Sequence, residues 1–142
     1  MDQHLAGGGR VRHPHVLDVH IIGVEARLTL EIGSTLVLPA GVRYQTELAL
    51  NVGALKAVGV EADVASLEQV SGPVADLRAA LAVLRSALAA DTGMTALAEA
   101  EYARDALLPA MAAVRAASDL LEGVVADDLW ALPTYQEMLF IL

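Results

Sequence analysis

All four histidines of this 142-residue chain, His4, His13, His15 and His20, fall within its first twenty residues. Neutral imidazoles at the His13-x-His15 spacing, with His20 beyond, suit zinc, copper or nickel. No cysteine exists to join them, and no acidic ligand stands at a fitting spacing, so a flexible leader is the simpler reading. A second cluster, Glu122 with Asp127 and Asp128, could hold a cation. Hard-cation sites need more converging oxygens than three neighbours usually supply, which makes a solvated acidic turn the plainer account. A third group is cationic and polar. Arg27 stands four residues before Glu31 and two after Glu25, the helical spacing of a surface ion pair. Arg43-Tyr44-Gln45 is a bulky trio near Pro39: either it finds hydrogen-bonding partners, or Tyr44 packs while Arg43 and Gln45 face water.

Little else offers catalysis. GxxxxGK[ST], a post-strand GxGxxG, HExxH and GxSxG are all missing, which removes phosphate loops and the common hydrolase elbows. With the histidines confined to the leader, a Ser-His-acid or metal site in the body of the chain would lack its imidazole. The residues alone justify an all-α interaction domain without a visible active site.

Charge and composition narrow the partners. Eighteen acidic residues against nine Lys and Arg give a formal net charge of −9. Such a chain has no positive face to neutralise phosphates, so neither nucleic acid nor an anionic lipid surface suits it. The chain is 56% apolar but only 4% aromatic, and Ala and Leu supply roughly a third of it, a composition that favours long helices. Every apolar run stops short of the roughly 18 to 20 residues needed to span a bilayer. No secretory h-region opens the sequence, and the absence of cysteine fits a reducing, cytoplasmic setting.

The elements that must position these groups follow from the apolar spacing. Residues 1–22, with Gly7-Gly8-Gly9 and Pro14, carry no helical period. From Val24 to Val58, Leu28, Ile32 and Leu36 recur four apart, then Tyr44, Leu48, Val52 and Leu55 at four, four and three. Pro39 removes a backbone donor and crowds the preceding turn, so a kink or a break is expected there, and Gly59 supplies a stop. Over 64–90, Leu67, Val70, Val74, Leu77, Leu81, Leu84 and Leu88 alternate three and four apart. This is a heptad seam three repeats long, and its stronger part is expected to begin at Pro73. Asp91-Thr92-Gly93 makes a turn.

Over 95–125, Ala100, Ala103, Leu107, Met111, Val114, Ala117, Leu121 and Val125 form a stripe of smaller residues, interrupted by Pro109. The Leu-Pro-Ala triplets at 38–40 and 108–110 suggest two kinked helices. Three of the five aromatics, Trp130, Tyr135 and Phe140, lie in the last thirteen residues. Thr134-x-x-Glu137 is a capping box directly after Pro133, so a short helix should start there. A segment this apolar tucks against its own bundle or docks on another domain or subunit. The fold class is therefore all-α: a bundle of three to four long, partly Pro-kinked antiparallel helices plus a short C-terminal helix.

Two stretches resemble one family. Glu25-Ala26-Arg27, then Pro39-Ala40, then Arg43-Tyr44-Gln45 with Leu48, resemble the "EAR…PA…RYQ…L" stretch near the C-terminus of type III glutamine synthetases. Asp127-Asp128-Leu129-Trp130-Ala131-Leu132-Pro133-Thr134-Tyr135-Gln136-Glu137-Met138-Leu139-Phe140 is similar to the family's terminal "DDLWPLPTYxEMLF" signature. Leu108-Pro109-Ala110-Met111, Val114-Arg115 and Asp119 to Glu122 resemble its penultimate helix.

The resemblance covers about 24–141 in the family's order, which divides the chain into a leader, 1–22, and a helical domain, 23–142. It implies the C-terminal helical portion of an enzyme that joins ammonia to glutamate with ATP and Mg or Mn. It further implies a structural, oligomer-supporting role in nitrogen metabolism, with no catalytic, cofactor-binding or metal-binding residue in this chain. Its partners would be the catalytic domain or subunits of a glutamine synthetase, or a second copy of itself. The candidate structural and interface residues are Arg27, Arg43, Tyr44, Gln45, Trp130, Pro133, Tyr135 and Phe140. The alternative is a free-standing helical protein–protein interaction module. Two departures stand out: Ala131 replaces the family's usual proline, and Gly33 and Gly41 stand where alanine is common, which should loosen the first helix.

Overall fold

The computed structural model describes residues 16–90, 93–130 and 132. Among them there are helices and no strand. The first long helical run is α1 (Val16–Ile32), a π-helical turn (Gly33–Val37) and α2 (Leu38–Ala57). α3 (Ala65–Ala90) follows, then α4 (Ala96–Tyr102), a second π-helical turn (Ala103–Leu107), α5 (Leu108–Val124) and a short 3-10 turn (Asp127–Leu129). α1 thus starts inside the stretch read from sequence as leader, and Val19 already belongs to the core.

Neither Pro39 nor Pro109 ends its helix, and each follows a π-helical turn. The reason is steric. In a regular α-helix a proline ring collides with the carbonyl four residues back and leaves it without a donor. Here the residue before each proline donates five residues back instead, Leu38 N–H to the Gly33 carbonyl and Leu108 N–H to the Ala103 carbonyl. The widened turn shifts the carbonyls out of the ring's path, and the run continues. Pro73 likewise lies inside α3, which begins at Ala65 rather than at the proline.

The helix ends have local causes. Gly59, at φ +79, lets the Val60 N–H reach the Leu55 carbonyl (2.9 Å) while its own N–H reaches Lys56 (3.2 Å). This Schellman closure needs a left-handed residue, the conformation glycine adopts most cheaply. Thr95 caps α4, its hydroxyl accepting from the Ala98 N–H at 3.3 Å. Asp63 accepts from the Ala65 N–H at the start of α3.

Neighbouring pairs set the directions. Gly33 faces Leu81, Gly41 faces Val74, and Gln45 bonds Ser71, so 16–57 and α3 run oppositely. Gly33 also faces Val114 and Gly41 faces Leu121, so 16–57 and α5 run the same way. α3 and α5 share the longest interface. The core centres on Leu77, Leu84, Leu107, Leu121, Val70 and Val114, the largest fully buried side chains. Burying each contributes on the order of 1.5–3 kcal/mol. The heptad seam of α3 points inward along its length: Val70, Val74, Leu77, Leu81 and Leu84 are buried, Leu67 and Leu88 half-buried.

Candidate functional site

The residues singled out by sequence fall at different levels of the bundle. Arg27 is exposed on α1, and no Arg27–Glu31 ion pair forms among the described residues. Arg43 is also exposed, whereas Tyr44 is half-buried against the core. Gln45 has the partner that a bulky polar residue beside a helix seam calls for. Its Nε2 donates to Ser71 Oγ at 2.9 Å, and the Ser71 hydroxyl donates to the Leu67 carbonyl at 2.6 Å. This chain of two bonds ties α2 to α3. Trp130 is half-buried on the core, with its indole N–H enclosed and lacking an acceptor among the described residues. Pro133, Tyr135 and Phe140, with the capping box and the short C-terminal helix, lie outside the described residues, as do His4, His13 and His15.

Among the described residues no polar or charged residue is fully buried, and no three His, Asp or Glu side chains converge on a cation position. Arg104 and Asp105 pair at 2.9 Å in the open, adjacent in sequence. The hydrogen bond from Arg104 holds the Asp105 carboxyl below its ordinary value and, reciprocally, raises the guanidinium. Both groups are exposed, so the pair is a solvated feature of the second π-helical turn. No described helix is long and apolar enough to cross a membrane.

One face differs from the expected pattern. Leu28, Ile32 and Leu36, spaced four apart, point outward, and the buried side of α1 and the first π-helical turn is built from Val19, Gly23, Ala26, Gly33 and Val37. Those positions alternate three and four apart once half-buried Leu30 is included. The second half of the stripe faces inward as spaced, with Tyr44, Leu48, Val52 and Leu55 all half-buried. Gly33 and Gly41 are also not loose points. A Cβ at Gly33 would meet Leu81 at 2.8 Å and Val114 at 3.3 Å, and one at Gly41 would meet Val74 at 3.0 Å. Both glycines let two neighbouring helices approach the first run closely.

A groove opens between α1 and α5. Thr29, Ile32 and Val37 form one wall, Arg115 and Ser118 the other, and Leu132 also lines it. The described residues thus form an all-helical fold with apolar side chains exposed on its outer faces. The chain is 28% identical over 131 residues to the type-3 glutamine synthetase of Dictyostelium discoideum, with 84% of this chain and 18% of that protein covered. It is thus a distant relative of that synthetase and spans under a fifth of its length. No family model matches the chain, and no solved structure matches it.

Proposed function

We propose that this chain is the C-terminal helical portion of a type III glutamine synthetase, a structural element without an active site of its own. The observation that carries the reading is the alignment, which fits most of this chain into 18% of a type-3 glutamine synthetase. The residue-level motifs at 25–48 and 127–140 support the same family, because they occur in its order and at its separation. In the full-length enzyme ATP and Mg or Mn serve the ligation of ammonia to glutamate, and the helical portion supports the catalytic domain or the contacts between subunits.

Its finer architecture on this reading is an antiparallel bundle kinked at Pro39 and Pro109 and closed by a short helix after Pro133. Its partners are the catalytic domain or subunits of a glutamine synthetase, or a second copy, in the cytoplasm. Trp130 supports an interfacial role physically. A buried indole N–H without an acceptor costs about 1–3 kcal/mol, which a carbonyl from a docked domain would recover. Arg27 and Arg43 project from the same helical run, available to a partner's carboxylates.

The test is biochemical. The purified chain, given glutamate, ammonia, ATP and Mg or Mn, releases no ammonia-dependent ADP. Added to the catalytic region of its cognate synthetase, it restores the mass of the full assembly by light scattering. Ammonia-dependent turnover by the chain alone, or an assembly indifferent to its presence, would overturn the proposal.

A further inference from the structure

The outward face of α1 carries Ile21, Val24, Leu28 and Ile32 at spacings of three, four and four, each between 38 and 50% exposed. A continuous apolar stripe of this kind on a helix already packed on its other side calls for a covering segment. The direction of the chain after α5 indicates which one. Asp127–Leu129 packs on α2, and Leu132 lines the same groove as Thr29, Ile32 and Val37. Leu132 therefore stands nearer the beginning of the first helical run than Asp127–Leu129 does. Leu132 thus stands at the Ile32 end of the stripe, and ten residues, 133–142, follow it in the sequence.

The sequence that follows Leu132 fits that stripe. Tyr135, Met138, Leu139 and Leu142 recur at i, i+3, i+4 and i+7, one face of a helix opened by the Thr134-x-x-Glu137 capping box. Residues 134–142 as helix span about 13 Å, and the eight-residue separation of Ile32 from Val24 is about 12 Å. Length, pattern and starting point agree. We propose that residues 133–142 of this chain fold back antiparallel to α1 and cover the Val24–Leu28–Ile32 stripe, an intramolecular docking independent of any synthetase partner.

The absence of native cysteine makes the test clean. Leu28→Cys is placed in the full chain and in a chain ending at Leu132, and alkylation by a maleimide is timed in both. The thiol introduced at position 28 should react about tenfold more slowly in the full chain. The protection should not change on dilution, and Leu139→Asp in the full chain should abolish it. Val83→Cys, on the outer face of α3 at 59% exposure, serves as the control and should react at one rate in every background, reporting that the bundle has kept its fold. Equal rates at position 28 with and without 133–142 would overturn the proposal. So would protection that grows with protein concentration, together with a bis-maleimide cross-link in the Leu28→Cys, Leu139→Cys double variant that joins two chains. The occupant would then be a second copy.

Discussion

Gly33 and Leu81 are in contact without room for a methyl group between them. A Cβ on Gly33 would stand 2.8 Å from Leu81 Cδ2 and 3.3 Å from Val114, and both of those side chains are buried. Leu81 therefore cannot swing aside without displacing the seam between α3 and α5. Gly33→Val is expected to lose about 1–3 kcal/mol by overpacking, measured as a fall in the urea midpoint at unchanged slope. Gly53 is the contrasting case, because nothing lies within 4 Å of its added Cβ. There Gly53→Ala should gain up to about 1 kcal/mol from helix propensity alone.

Ser34 supplies a prediction of the opposite kind. Its hydroxyl is enclosed in the first π-helical turn and has no hydrogen-bond partner among the described residues. A buried unpaired hydroxyl costs about 1–3 kcal/mol, so Ser34→Ala should stabilise the chain by about 1 kcal/mol. A raised thermal midpoint checks it, and no change would mean that the hydroxyl is solvated.

Tyr102, the last residue of α4, ties that helix back to the last turn of α3. Its hydroxyl donates to the Ala87 carbonyl at 2.8 Å, partly buried. Tyr102→Phe keeps the ring and removes that bond, for an expected loss of about 1 kcal/mol. Hydrogen exchange should quicken at the C-terminal turn of α3 and leave the centre of the seam unchanged.

The tie between α2 and α3 is testable in the same way. Gln45→Ala deletes the donor to Ser71 Oγ while leaving Ser71 bonded to the Leu67 carbonyl. The loss should be about 0.5–1.5 kcal/mol. A double-mutant cycle with Ser71→Ala should return a coupling of similar size.

Much of the fold is legible in the sequence where large residues carry the pattern. The Leu and Val heptads of α3 point inward because size and spacing agree there, and the stripe from Leu107 to Val125 does the same. The first helix misleads for a physical reason. A search for large apolar residues finds Leu28, Ile32 and Leu36, yet the run packs by close approach, which selects Gly33, Ala26 and Gly41 for the inside. The period is present at 19, 23, 26, 30, 33 and 37, but it is written in small residues. Pro39 and Pro109 are legible as disturbances, not as π-helical turns, because the shift to a five-residue hydrogen bond has no sequence signature beyond the proline itself. The candidate interface is legible as motifs. Gln45 and Trp130 can be named from the chain, but the Ser71 partner and the unpaired indole N–H depend on how distant helices meet.

The central claim, that this chain is the helical portion of a synthetase, is tested most directly in its gene. The DNA upstream of Met1 is sequenced and translated in all three frames. A type III glutamine synthetase catalytic region is expected there, either continuous through Met1 or displaced into another frame. A promoter and ribosome site standing directly upstream, with no such region before them, would contradict it.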